Sequence, residues 1–300
     1  MSSQVVLITG ASAGIGAALA QALADRFPQI RLILAARNSE KLAVIADRAR
    51  QSGAEVLTVV TDMAQPEQVK ALAKTAIDKF GRVDVLVNNA GYGQMGPIEL
   101  IPIEAAQRQF QVNVIGAIAL IQAIVPVMRN QGGGKIINMS SLGGRIAFPF
   151  GGLYSASKFA LESLSDSLRR ELEPFNIRVS VIEPGPVSTE FFDVAGREVD
   201  TAMPDANNTP YRAAFENLKN LDKITKRQAW SSERVAAVII KAIVANRPRS
   251  RYVAATAGGL TLFMMTKVLP TWIVDRFWQK FYGIDRVAKD WKTRHRQPSL

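Results

Sequence analysis

Tyr154-Ser155-Ala156-Ser157-Lys158 sets a phenol and an amine four residues apart. On a helix that spacing puts both side chains on one face. An ammonium beside a phenol favours the phenolate, drawing a pKa ordinarily about 10 toward working pH. Such a pair can give and take a proton without histidine. The chain has 300 residues, no cysteine and a single histidine, His295, near its C-terminus. That composition excludes disulfides, thiolate nucleophiles and iron–sulfur ligation, and argues against a Ser-His-Asp triad or a His-rich metal site. No metal site is expected, and acid–base work falls to Tyr, Lys, Asp, Glu or Ser.

A second chemical feature sits near the N-terminus, in Thr9-Gly10-Ala11-Ser12-Ala13-Gly14-Ile15-Gly16. It follows a β-rich run and opens a helical one. Glycines there allow a tight turn and close approach of backbone to a pyrophosphate. The helix that follows offers free N–H groups and a positive dipole end. The second β-rich run ends in Ala35-Ala36-Arg37-Asn38, without a carboxylate. A carboxylate at that place would bind a ribose 2′-hydroxyl and repel a 2′-phosphate, whereas a guanidinium binds the phosphate bidentately. Arg37, with Ser12, therefore points to NADP(H) in preference to NAD(H), with NAD(H) left as the second cofactor.

The elements that must position these groups alternate along the chain. Strands are expected at Val5–Thr9, Arg31–Ala36, Glu55–Val60, Val83–Val87, Lys135–Met139, Ile177–Ile182 and Arg251–Ala254. Helices are expected at Gly14–Arg26, Ser39–Gln51, Pro66–Phe80, Ile103–Arg129, Ser155–Leu172 and from Ser231 to Ala245. The β-α-β-α order implies an α/β, doubly wound Rossmann fold: a mostly parallel seven-stranded sheet with helices on both faces. The strands are continuous apolar runs, as burial on both faces requires. The rhythm breaks over about 185–230, where Gly, Pro, Asn and Thr cluster; such a long insertion is a candidate substrate lid. Residues 1–255 are expected to form one nucleotide-binding catalytic domain carrying that lid, with 256–300 as a C-terminal helical extension.

The Gly-x-x-x-Gly-x-Gly spacing, the Tyr-x-x-x-Lys pair and their order resemble the classical short-chain dehydrogenase/reductase family, over about residues 4–255. The resemblance implies hydride transfer between a nicotinamide and a carbonyl or secondary alcohol, with Tyr154 handling the proton. It implies that Ser141, thirteen residues before Tyr154, orients the substrate oxygen, with Ser140 the weaker candidate. It implies that Asn113 holds a proton-relay water and that Lys158 also holds the nicotinamide ribose. The catalytic set is thus Asn113, Ser141, Tyr154 and Lys158. The implied cofactor contacts are Gly10, Ser12, Gly14, Ile15, Gly16, Arg37, Asp62, Asn89, Ala90, Gly91, Tyr154, Lys158, Pro184, Gly185, Val187 and Thr189. Taken singly, Asn89 also reads as a turn residue and Asp62 as a helix cap.

Charge divides the chain. Residues 241–300 hold 12 Lys/Arg and 3 Asp/Glu, a net +9, leaving +2 of the total +11 for residues 1–240. Val274, Phe277, Trp278, Phe281 and Tyr282 share one helix face, followed by Arg286, Lys289, Lys292, Arg294 and Arg296. Two readings stay open: an amphipathic helix lying on an anionic membrane, or a helix packed on the protein with a solvated basic end. The uncharged stretch Val253–Thr266 is 14 residues, short of the roughly 20 that span a bilayer. No recognition motif for nucleic acid is visible. Met1-Ser2-Ser3-Gln4 lacks a basic leader, so a cytoplasmic location is expected, with membrane association through the extension as an option.

Segment Gly143–Phe150 and residues Phe191, Phe192, Met203, Tyr211 and Phe215 supply apolar and aromatic area, favouring a lipophilic carbonyl or alcohol over a sugar. The extension and lid resemble those of family members acting on steroids, retinoids or long-chain keto compounds. Homodimers or homotetramers are common in the family. The competing class is a non-catalytic NADP(H)-binding sensor or scaffold, which would not require the Asn113, Ser141, Tyr154, Lys158 set.

Overall fold

A computed structural model of the chain describes residues 4–204, 208–217 and 229–294. His295, Arg296 and parts of the 185–230 segment lie outside the described residues, as does the Phe192 side chain. The elements are β1 (Val5–Thr9), α1 (Gly14–Arg26), β2 (Arg31–Ala36), α2 (Ser39–Gln51), β3 (Glu55–Val60), α3 (Pro66–Phe80), β4 (Val85–Asn88), α4 (Ile103–Phe110), α5 (Gly116–Asn130), β5 (Gly134–Met139), α6 (Gly152–Glu171) and β6 (Ile177–Pro184). After these come α7 (Phe191–Ala202), α8 (Ser232–Val244), β7 (Arg251–Ala254), α9 (Gly258–Phe263), α10 (Thr271–Tyr282) and α11 (Ile284–Arg294). The seven strands form one sheet in the order β3-β2-β1-β4-β5-β6-β7, and every pairing is parallel.

Alternation along β1 explains the two layers of core. Val6 and Ile8 face one side, against Leu19 and Leu23 of α1, Leu42 of α2 and Val235 and Ile239 of α8. Val5 and Leu7 face the other, against Val69 and Leu72 of α3 and Leu120 and Ile124 of α5. Successive strand residues point to opposite faces, so both sides of each central strand are apolar and the sequence shows runs, not alternation. Asn38 caps α2 by accepting the Lys41 N–H at 2.8 Å, and Ser231 caps α8 by accepting the Arg234 N–H at 3.3 Å.

The order of strands reverses between β1 and β4, so two successive crossovers leave in opposite directions there. That gap, at the carboxyl ends of the strands, is where ligands bind in open α/β sheets. It lies directly beneath Gly10 and Asn89.

The expected helix Ile103–Arg129 is one continuous helical run, but Gln111–Ile115 inside it is wound as a π-helix. By length and composition the run from Ile103 to Asn130 is apolar enough to cross a membrane; here Leu120, Ile124 and Met128 are instead fully buried in the core. The 185–230 insertion is more regular than its composition suggests, since α7 occupies twelve residues of it.

The apolar face expected on α10 divides in the structure. Of the predicted apolar face, Trp278, Phe281 and Tyr282 pack inward or on one another, and Tyr282 stacks on Phe148 with ring centroids 5.9 Å apart. Phe277 stays exposed. A different stripe faces solvent: Leu260, Phe263, Val268 and Trp272, the last 71% exposed. The basic end is partly tied down, with Arg294 paired to Asp290 at 2.8 Å and Asp290 to Arg212 at 3.2 Å.

Candidate active site

The turn after β1 is held by side chains at the end of β4. Thr9 Oγ1 accepts the N–H groups of Asn89 at 3.1 Å and Ala90 at 3.0 Å. Asn89 Nδ2 donates to the carbonyls of Thr9 at 2.9 Å and Gly10 at 3.2 Å. Asn89 is thus a turn residue in fact, and it stitches the two strands where their order reverses. Gly10 and Gly14 take left-handed φ values of +65° and +54°. A Cβ at residue 16 would collide with the Gly10 carbonyl oxygen and lie 2.7 Å from Asn89 Nδ2. Helix α1 starts with no side-chain cap and no acidic residue in its first turn, so its N–H groups and dipole end are left for an anion. Ser12 lies in this turn, and Ile15 packs on the core below it. This cradle fits a dinucleotide pyrophosphate.

Arg37 stands exposed at the carboxyl end of β2, with no ion pair among the described residues. Asp62 does not cap a helix: α3 is preceded by Gln65. Its carboxylate instead accepts the Ala64 N–H at 2.9 Å and faces Arg108 at 3.8 Å. Tyr92 lies between these groups. Burial, with Glu198, pushes its phenol up to about 12 against the opposing pull of Arg108 and Arg37. Its buried Oη has no hydrogen-bond partner among the described residues.

The proton-handling residues converge from three elements. Tyr154 and Lys158 lie on α6, both buried. Ser141 caps the 3₁₀ turn Leu142–Gly144, accepting the Gly143 N–H at 3.0 Å, and its hydroxyl lies beside the Tyr154 phenol. Asn113 sits in the π-wound segment. Its Nδ2 donates to the Tyr92 carbonyl at 2.9 Å and to Ser157 Oγ at 3.1 Å, and its Oδ1 accepts the Tyr92 N–H at 3.1 Å. Ser157 in turn donates to the Tyr154 carbonyl at 2.7 Å. Gly91 lies where they meet: a Cβ there would be 3.1 Å from Asn113 Oδ1 and 3.4 Å from Lys158 Nζ.

The expected electrostatic effect of Lys158 on Tyr154 is not what this structure shows. The amine lies 5.8 Å from the Tyr154 ring centroid and donates to the Met139 carbonyl at 2.7 Å. Burial pushes the Tyr154 phenol up, opposed by the Ser141 hydroxyl. Burial also lowers Lys158 to about 8, opposed by Glu162. Desolvation of both groups outweighs their mutual attraction at this distance.

The segment after β6 closes the other side of the cleft. Gly185 donates its N–H to the Ala254 carbonyl at 3.2 Å, and a Cβ on it would be 2.8 Å from that of Ala255. Val187 is buried and bridges to Trp230. Thr189 approaches the phosphate turn, 3.1 Å from where a Gly14 Cβ would stand. Pro184 accepts from the Ser141 hydroxyl at 3.4 Å.

Over the site lies an aromatic roof. Phe191, first residue of α7, packs edge-on against the Tyr154 ring at 5.5 Å. Phe150, with φ +61°, stacks on Phe215 at 5.5 Å and meets Tyr211 at 5.9 Å and Tyr282 at 6.2 Å. Lid, loop and extension therefore share one apolar cluster. Lys41 of α2 pairs with Glu190 at 2.8 Å, joining the Arg37 side of the cleft to the lid. Sequence reasoning did not single out Thr9, Ser157, Lys41 or Glu190. Thr9 alone carried a signal, a hydroxyl directly preceding the first glycine. Among the described residues no cluster of three carboxylates or imidazoles suited to a metal ion is present.

The profile of the short chain dehydrogenase family matches residues 4–200. The chain is 34% identical to human 17-beta-hydroxysteroid dehydrogenase type 1 over 256 residues, 84% of this chain and 77% of that protein. It is 33% identical to the 3-ketodihydrosphingosine reductase of Bacteroides thetaiotaomicron over 289 residues, 95% of this chain and all of the relative. A solved short chain dehydrogenase/reductase from Burkholderia phymatum in complex with NAD superposes with a TM-score of 0.77 at 30% identity, covering 87% of this chain and 92% of the other. Similar solved structures hold NAD or NADP.

Proposed function

The chain belongs to the short-chain dehydrogenase family, an oxidoreductase of alcohol and keto groups with a nicotinamide cofactor, and from that premise we propose that it is an NADP(H)-dependent reductase or dehydrogenase of a lipophilic carbonyl or secondary alcohol. The observation that carries the cofactor half is Arg37, a guanidinium at the end of β2 with no ion-pair partner among the described residues. A 2′-phosphate there gains a charge-assisted bidentate contact. Gly10, Ser12, Gly14, Ile15 and Gly16 would cradle the pyrophosphate, and Asp62 would flank the adenine. Asn89, Ala90 and Gly91 would line the nicotinamide side, with Pro184, Gly185, Val187 and Thr189 opposite.

When bound, the nicotinamide supplies or accepts a hydride at its ring. In reduction, Tyr154 Oη gives a proton to the carbonyl oxygen while the Ser141 hydroxyl hydrogen-bonds that oxygen and fixes its place. Lys158 holds the ribose hydroxyls and keeps positive charge near the phenol as its proton leaves. Asn113, fixed by the π turn, holds the water end of the relay. The raised phenol keeps Tyr154 protonated at neutral pH, which suits it as an acid. Lys158 loses its charge as pH rises through about 8, so reduction weakens on that side.

The apolar substrate reading rests on Phe191, Phe150, Phe215 and Tyr211 above Tyr154, and is supported by relatives named for steroid and ketosphingoid substrates. The exposed Leu260, Phe263, Val268 and Trp272 stripe, with Lys267 and Arg276 beside it, suits the surface of an anionic membrane. A homo-oligomer fits the family.

The test is a carbonyl panel assayed with NADPH and with NADH. Turnover of apolar ketones with NADPH preferred is the expected result, and Tyr154→Phe loses about 10²- to 10⁴-fold in turnover while still binding NADPH. Equal use of both cofactors sinks the role of Arg37. Binding without turnover on any substrate favours the sensor reading.

A further inference from the structure

Beside the proton-handling residues lies a cluster of charges built around two buried carboxylates, Glu162 and Glu183. Two serines directly follow β5 and meet different partners. Ser141 lies beside Tyr154, while Ser140 is buried against Glu162. Glu162 stands one helical turn beyond Lys158 on α6, 5% exposed. Its Oε2 accepts from Arg251 Nε at 2.9 Å. The same guanidinium reaches Asp166 at 2.9 Å and Glu183 at 3.4 Å, and Glu183, 1% exposed, accepts from Arg145 at 2.9 Å. Gly144 is the hinge of this packing: a Cβ on it would collide with Ser140 Oγ and sit 3.2 Å from both Glu162 Cγ and the Lys158 carbonyl carbon.

Three carboxylates here meet three guanidiniums, Arg251, Arg145 and Arg169, the last donating to Asp166 at 3.0 Å. Buried ions persist only where opposite charges compensate them, and the Lys158 ammonium, buried one helical turn before Glu162, is a further cation that needs such an anion. Lys158 makes no ion pair of its own among the described residues, and its hydrogen bond goes to a neutral carbonyl. The groups facing it are Tyr154 and Glu162 from α6, Asn113 from the π segment, Gly91 after β4, and Met139 and Ser140 from β5. Glu162 is the only charged one of these.

We propose that Glu162 is a positioning residue for the charge of Lys158, held in place by Arg251 and the Glu183–Arg145 pair, so that this network sets the pH range over which the site works. The inference rests on the oxidoreductase reading above. Glu162 acts through Lys158 and touches neither substrate nor cofactor. Its anion opposes the effect of burial on the amine, a direction the burial-lowered Lys158 already reflects.

The experiment compares pH profiles of kcat/KM for carbonyl reduction, and of NADPH binding, in the parent and in Glu162→Gln. The variant is expected to lose its alkaline limb about one pH unit or more earlier, while keeping near-parental activity on the acid side. Glu162→Asp restores part of the shift. Should Glu162→Gln fold poorly by thermal unfolding, Ser140→Ala removes only the hydroxyl buried beside Glu162, and a smaller shift of the same sign is expected. Profiles that superimpose on the parent after scaling overturn the proposal, because a merely structural role lowers activity at every pH. If the parent turns over no substrate, the binding profile still decides for Glu162, while the oxidoreductase reading fails separately.

Discussion

The two walls of the cleft are built differently. At the strand ends, the turn after β1 is shaped by main chain: glycines with positive φ, a Thr9–Asn89 stitch, and no room for a Cβ at residue 16. Across from it, the lid, the Gly143–Phe150 loop and α10 are shaped by rings that meet at centroid distances of 5.0–6.3 Å. Each such pair adds only about 0.5–1.5 kcal/mol beyond its buried area. The first wall admits one ligand geometry. The second can be reshaped ring by ring while the fold stands, which suits a family whose members share a cofactor and differ in substrate.

The largest effect is expected where the main chain has no slack. Gly16→Val drives a branched side chain into the Gly10 carbonyl and Asn89; about 1–3 kcal/mol of strain is expected, lowering Tm by several degrees and weakening NADPH at least 100-fold. Fluorescence titration and thermal unfolding read both, and a variant matching the parent in each would erase the distinction between the walls. Phe191→Ala is expected to be intermediate. It removes the ring over Tyr154, so kcat/KM for an apolar ketone falls about tenfold, in line with roughly 1–2 kcal/mol of lost ring contact and burial. NADPH affinity and Tm stay within error, and a matching loss of NADPH affinity would show the walls to be one unit. The smallest effect on chemistry belongs to the outward stripe. Phe263→Ala combined with Trp272→Ala leaves turnover of a water-soluble ketone unchanged and reduces co-sedimentation with phosphatidylserine vesicles. Undiminished sedimentation removes the membrane role from this surface.

Legibility followed the same division. The β-rich runs gave strand limits almost to the residue, because strands buried on both faces have no polar interruptions to blur them. The exceptions are β4, which runs from Val85 to Asn88, where Asn88 meets Asn138 in a buried amide contact at 2.9 Å that composition does not reveal, and β6, which runs on to Pro184. The glycine turn was readable because φ and space select one residue type. The sign of the Tyr154 shift was not, because spacing shows that a lysine is near but not how much water both groups have lost. The orientation of α10 was unreadable for a related reason. A hydrophobic face identifies itself in sequence, whereas the partner it turns toward is fixed by Phe148 and Phe150, more than a hundred residues earlier. Glu162 passed unnoticed because a charged residue on a long helix reads as surface until the packing encloses it.

The π turn at Gln111–Ile115 carries one residue more than α-helical winding needs, with the Gly116 N–H reaching back to the Gln111 carbonyl. Such a surplus is a local insertion that the flanking helices absorb without changing their register against the core. It uncouples two demands on one helix: α5 keeps Leu120 and Ile124 toward the sheet, and Asn113 is free to turn toward Tyr92 and Ser157. Shortening the chain there by one residue would give a more regular helix and a comparably packed core, with the amide aimed elsewhere. Length at this point is therefore a property of the site rather than of the scaffold.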